Sequence, residues 1–121
     1  MRYDSLDTFL KDGTDALRKG PVAMIFVEDL VEVEATIRHH LKLGFPEVLV
    51  FAPDELSLPM DLTETVHRID YALHRNGAME AAVNKVTDAA PGIWLFYCYN
   101  AEFLFFPFCE TRTIREMVTF H

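Results

Sequence analysis

Pro21-Val22-Ala23-Met24-Ile25-Phe26-Val27, followed by Glu28-Asp29, the segment Leu30 to Gly44, and Glu47-Val48-Leu49-Val50-Phe51-Ala52, is the stretch on which the fold turns. Its two outer runs are of strand length, apolar without alternation, and bounded by acidic residues or proline, so they read as strands buried on both faces. Between them Leu30, Val33, Ile37 and Leu41 recur at helical spacing, and Glu34 and Arg38 form an i,i+4 pair. Asp29 stands where a helix cap belongs and Gly44 supplies the stop. Strand, helix and strand within about thirty residues imply a crossover connection and parallel pairing.

Working outward, Asp54 to Thr63 is a Pro- and Leu-containing connection, and Thr65 to Leu73, ambiguous between helix and strand, is assigned as a strand on its β-prone Val66, Arg68 or Ile69, and Tyr71. His74-Arg75-Asn76-Gly77 breaks the chain before a helix over Ala78 to Ala90; Pro91-Gly92 ends that helix and Trp94 begins a last strand. The alternation predicts an α/β fold of three layers, a mostly parallel sheet flanked by helices. Residues 1–20 are set apart as a partly helical N-terminal extension and residues 21–121 as the domain itself. Thr111 to Phe120 reads as a helix opened by Thr111 or Thr113 with Glu116, and no stop signal follows it. The chain is therefore expected to be the front part of a longer polypeptide.

Half of the 121 residues are apolar, enough for one real core. A formal net charge of -8 and no Lys/Arg cluster argue against a protein that tracks nucleic-acid phosphates. Met1 to Lys19 lacks the apolar centre of a signal peptide, and no apolar run reaches the roughly 20 residues of a membrane span. A cytoplasmic location is the expectation. Cys98 and Cys109, in apolar context and without a CxxC motif, read as buried structural cysteines.

The run Trp94 to Phe108 sets Asn100 and Glu102 among aromatic and aliphatic residues. A buried amide or carboxylate costs several kcal/mol, roughly, unless it is bonded, paired or bound to a cation. Two apart, the residues share a face of an extended strand and could present oxygens together at a strand end, where α/β sheets bind ligands. Equally, Asn100 starts a turn and Glu102 caps a neighbouring element; spacing leaves both readings open.

Glu34 to Ala52 resembles the first helix and second strand of family 2 and family 92 type glycosyltransferases, which have the nucleotide-sugar-binding GT-A fold. Glu34, His40, Leu41, Gly44 and Phe45 match the family's arrangement of a helical Glu, a His six residues on, and a Leu-x-x-Gly-Phe break into an apolar strand. At the appropriate distance a helix, Trp94 and a strand lead to Asn100-Ala101-Glu102-Phe103-Leu104, where the family has Asp-x-Asp-Glu-Phe-Leu or similar. The resemblance covers Val22 to the end. It implies Glu28, Asp29, Asp54, Asn100 and Glu102 as contacts to a nucleotide-sugar donor. It also implies Asn100 and Glu102 as ligands of Mn²⁺ or Mg²⁺, hard cations that take oxygen ligands. Both family aspartates are missing: Tyr99 and Ala101 stand in their places. At the end of the second strand Ala52 replaces another family aspartate, with Asp54 two residues on. The donor-binding half that this implies would serve transfer of a hexose to an unknown acceptor, by direct displacement with inversion. The family's catalytic base lies beyond the metal motif, so the chain alone is expected to be inactive.

The alternative is a non-catalytic relative that pairs with a partner or with itself through Phe103, Leu104, Phe105, Phe106 and Phe108, since exposed apolar surface recruits partners. A doubly wound nucleotide-binding or response-regulator-like domain fits the alternation, but no GxGxxG, no GxxxxGK[ST] and no Asp pair with Lys is present.

Overall fold

The computed structural model describes residues 1–105 and Ile114. The expected helix Thr111 to Phe120, Cys109, Phe106 and Phe108 otherwise lie outside the described residues.

Among the described residues, five strands form one parallel sheet: β1 (Arg2–Tyr3), β2 (Val22–Phe26), β3 (Glu47–Ala52), β4 (His67–Asp70) and β5 (Leu95–Tyr99), in the order β1-β4-β3-β2-β5. The helices are α1 (Leu6–Asp12), α2 (Val33–Lys42), α3 (Met60–Thr65) and α4 (Ala78–Ala89), with a 3-10 turn over Thr14–Lys19. The α/β expectation and the parallel β2–β3 pair are both observed, in register from Val22 opposite Glu47 to Phe26 opposite Phe51.

Strand order decides which helix covers which face. Crossovers between parallel strands share one hand, so those running toward β1 and those running toward β5 leave helices on opposite faces. The β2-to-β3 and β3-to-β4 connections run one way, and α2 and α3 pack Val33, Ile37 and Leu62 against Ala23, Ile25, Val48 and Val50. The β1-to-β2 and β4-to-β5 connections run the other way, and α1 and α4 pack Phe9, Ala82 and Val86 against Val22, Met24, Leu49 and Phe51. Alternate residues of β2 thus point into two separate cores, which is why the strand carries no polar residue. Each large side chain so buried contributes about 1.5–3 kcal/mol.

Three boundaries differ from the sequence reading. Residues 1–20 are no appendage: Arg2 and Tyr3 pair with Arg68 and Ile69, and Phe9 and Leu17 are core residues. Thr65 belongs to α3 and the strand after it spans only His67–Asp70. Leu62 is the one buried residue within this one-and-a-half-turn helix, so no periodicity announced it. Lastly, α2 starts at Val33 rather than at Leu30, and Leu30 and Val31 are 80% and 55% exposed. Gly44, with φ of 95°, takes the left-handed conformation that ends α2 as expected. No helix among the described residues is long and apolar enough to cross a membrane.

Candidate functional site

Because the five described strands run parallel, the residues that follow β1, β2, β3 and β4 gather at one edge of the sheet. There Asp4, Glu28, Asp54, Glu55 and Asp70, with Tyr71 and His74, line an open cleft of about 840 Å³. Of the sequence-derived candidates, Glu28 and Asp54 stand on this cleft; Asp29, Asn100 and Glu102 do not line it.

Two arginines that the sequence reading did not single out bond to residues lining the cleft. Arg2 forms a bidentate pair with Asp70, at 3.1 Å for both bonds, and its Nη2 also donates to the Asp54 carbonyl at 2.9 Å. Arg68 is 2% exposed; its Nη2 donates to the Pro53 carbonyl at 2.8 Å and to that of Asp54 at 3.4 Å. Its Nε has no hydrogen-bond partner among the described residues and stands 3.6 Å from the Asp70 carboxylate. Burial, and then the neighbouring Arg2, push the Arg68 pKa down. A hydrogen bond from Glu55, foremost, and the nearby Arg2 among lesser causes hold the Asp54 carboxyl below its usual range. The signal for Arg68 was its place inside a strand, where a charged residue asks for a partner; Arg2 lay in the segment set aside as an extension.

At the far side of β2, where the strand order reverses, Asn100 follows β5 and bonds to the loop after β2. It is 5% exposed. Its Oδ1 accepts the Glu28 N–H at 2.9 Å, while Nδ2 donates to Asp29 Oδ1 and, at 2.8 Å, to the Val31 carbonyl. Asp29 Oδ1 also accepts the Val31 N–H at 2.9 Å, and these bonds, that of Val31 foremost, hold its carboxyl below the usual range. Asp29 is therefore tied into the loop and does not cap α2, whose start is Glu32 in a left-handed conformation with φ of 48°.

Asn100 and Glu102 do not present their oxygens together. Strand β5 ends at Tyr99, Ala101 turns the chain with φ of 66°, and Glu102 Oε1 accepts the Tyr99 N–H at 2.6 Å. The extended geometry that would align residues two apart stops at Tyr99, before either of them. Asn100 thus has its oxygen on the Glu28 N–H and its nitrogen shared between Asp29 and Val31, while Glu102 bonds within its own turn. Among the described residues no group of three or more His, Cys, Asp or Glu side chains is placed to hold a metal ion.

The chain after β5 is docked on α2. The Ala101 N–H donates to Thr36 Oγ1 at 2.7 Å, the His39 ring nitrogen Nε2 meets the Leu104 carbonyl at 2.8 Å, and the Leu104 N–H points at His40 Nε2 at 3.4 Å. A backbone N–H can only donate, so His40 Nε2 is the acceptor and Nδ1 carries the proton toward the Thr36 carbonyl, 2.8 Å away. His40 is thus neutral, and burial above all keeps its pKa low. Phe103 and Phe105 pack against the His39 ring. Cys98 is a buried free thiol whose pKa burial pushes up to about 12, an unreactive state.

No family model, no curated protein and no solved structure matches the chain.

Proposed function

We propose that this is a nucleotide-sugar-binding domain of the GT-A glycosyltransferase type, with its donor held in the cleft at the ends of β2, β3 and β4. The observation that carries the reading is the position of Glu28 and Asp54 on one cleft at the carboxyl edge of a parallel sheet, the edge at which α/β sheets bind ligands. These are two of the positions that the resemblance assigns to the donor. Carboxylates there accept hydrogen bonds from ribose hydroxyls and from ring N–H groups of a base, and Tyr71 and His74 add ring surface. The reaction served would be hexose transfer from a nucleotide diphosphate sugar to an acceptor, by direct displacement. No step is assigned to a metal ion.

Scanning fluorimetry against UDP, GDP, CDP and UDP-sugars, with and without Mn²⁺, tests the reading. A melting shift specific to one nucleotide, lost in Asp54→Asn and in Glu28→Gln, is the expected result. A cooperatively melting protein that shifts with none of them overturns it.

A second reading, a non-catalytic GT-A-like interaction module, is favoured by the exposure of Trp94 (60%), Tyr97 (50%) and Phe105 (71%). Light scattering after size exclusion decides it: a monomer at all concentrations removes self-association through these residues.

A further inference from the structure

Arg68 presents a cost without an evident return in stability. A guanidinium 2% exposed, with Nε unbonded, is dearer than an apolar residue of similar volume in the same strand. What it touches explains its place. Its Nη2 reaches the carbonyls of Pro53 and Asp54, and Arg2, from the neighbouring strand, reaches the same Asp54 carbonyl. Asp70, at the end of β4, lies between the two guanidiniums, 3.1 Å from Arg2 Nε and 3.6 Å from Arg68 Nε, so that neither cation is left without a counter-charge. The turn they grip closes with the Leu56 N–H donating to the Pro53 carbonyl at 3.1 Å, and it carries Asp54 and Glu55 into the cleft.

We propose that Arg2 and Arg68 are positioning residues of the binding cleft, clamping the Pro53–Asp54 backbone so that the Asp54 carboxylate is held ready for the donor nucleotide. The proposal rests on the donor-binding reading above. Its consequence is that the N-terminal strand is part of the site. The planar guanidinium of Arg2 makes the clamp geometric: it spans Asp70 with two bonds while donating to the Asp54 carbonyl, which a lysine ammonium, a single point charge, does not reproduce.

Arg2, half exposed, is the residue to change. Arg2→Met keeps the aliphatic stem and removes the fork; Arg2→Lys keeps the charge. Amide hydrogen exchange at Leu56 reads the turn with no ligand present, and titration with UDP, GDP and CDP reads the cleft. The expected result is Leu56 exchange about tenfold faster and affinity for the bound nucleotide about tenfold weaker in Arg2→Met, with no rescue by Arg2→Lys. A cooperatively folded Arg2→Met whose Leu56 exchange or nucleotide affinity equals that of the wild type overturns the clamp and leaves the donor reading standing. Full rescue by Arg2→Lys also overturns it, reducing Arg2 to a surface charge. A wild-type protein that binds none of the three nucleotides overturns the donor reading and this role together.

Discussion

The side-chain oxygen of Asn100 accepts the backbone N–H of Glu28 at 2.9 Å, joining residues 72 positions apart. This bond and the two donated by the same amide fasten the loop after β2 to the end of β5, the pair of strands between which the sheet reverses its order.

Asn100→Ala leaves the Glu28 N–H and the Val31 carbonyl without their partner and is expected to cost about 2–3 kcal/mol. Asn100→Asp is worse at neutral pH, because it sets a second carboxylate against Asp29. That repulsion raises the folded-state pKa of the pair above its unfolded value, so the penalty is relieved as pH falls through that raised pKa. Urea titrations at pH 7 and pH 4 check it: the gap between Asn100→Asp and the wild type narrows at the lower pH.

His40 makes the link between α2 and Leu104 sensitive to acid. Its folded pKa is depressed from 6.5, first by burial and further by His39, against the opposing effect of the Thr36 carbonyl. The unfolded chain therefore takes up the proton first. The stability that neutral His40 provides is complete above pH 6.5 and is lost as pH falls from there through the folded value. His40→Leu should lower stability at pH 7.5 and flatten the decline between pH 7 and pH 5; an unchanged slope in thermal melts would remove His40 as its source.

Glu102 separates the two views of the site. It is exposed and bonds within its own turn, to the Tyr99 N–H. Glu102→Ala should leave any nucleotide-induced melting shift within error, with or without Mn²⁺, whereas Asp54→Asn abolishes it. Loss of the shift in Glu102→Ala would return the metal role to β5.

Phe26 and Phe51 stack with ring centres 4.5 Å apart, both fully buried beneath the helices of one face. Phe51→Ala is expected to cost about 3–5 kcal/mol through lost contact and an unfilled cavity. Chemical denaturation gives the number directly; a cost below about 1 kcal/mol would mean that the layer repacks.

Legibility in the sequence followed the number of residues that shared a signal. Strand β3 was read with the observed bounds, and β2 to within a residue at each end, because each of their residues is apolar or bounded by a turn, and burial on both faces demands that. Helix α4 was read to within a residue for the same reason of length. Helix α3 was missed because a single buried leucine makes no pattern, and the start of α2 was misplaced because Asn100, far along the chain, pulls Asp29 and Val31 out of helical geometry. Of the candidate site, Glu28 and Asp54 came from the family resemblance alone, and the structure sets both on the cleft. Asn100 and Glu102 were noticed as polar residues in an apolar run, but not that a turn at Ala101 would part them.

The sequence by itself determined the layers: apolar runs of strand length separated by amphipathic helical segments have few ways to bury their faces other than a parallel sheet between helices. Only the tertiary structure decided which carboxylates meet. Pairing of Arg2–Tyr3 along β4, the bonds of Arg2 and Arg68 to the Pro53–Asp54 turn, and that of Asn100 to the loop after β2 all join residues distant in the chain. Such contacts depend on strand order, which local periodicity does not encode, and a hydrogen bond is formed or lost over a few tenths of an ångström that only packing controls.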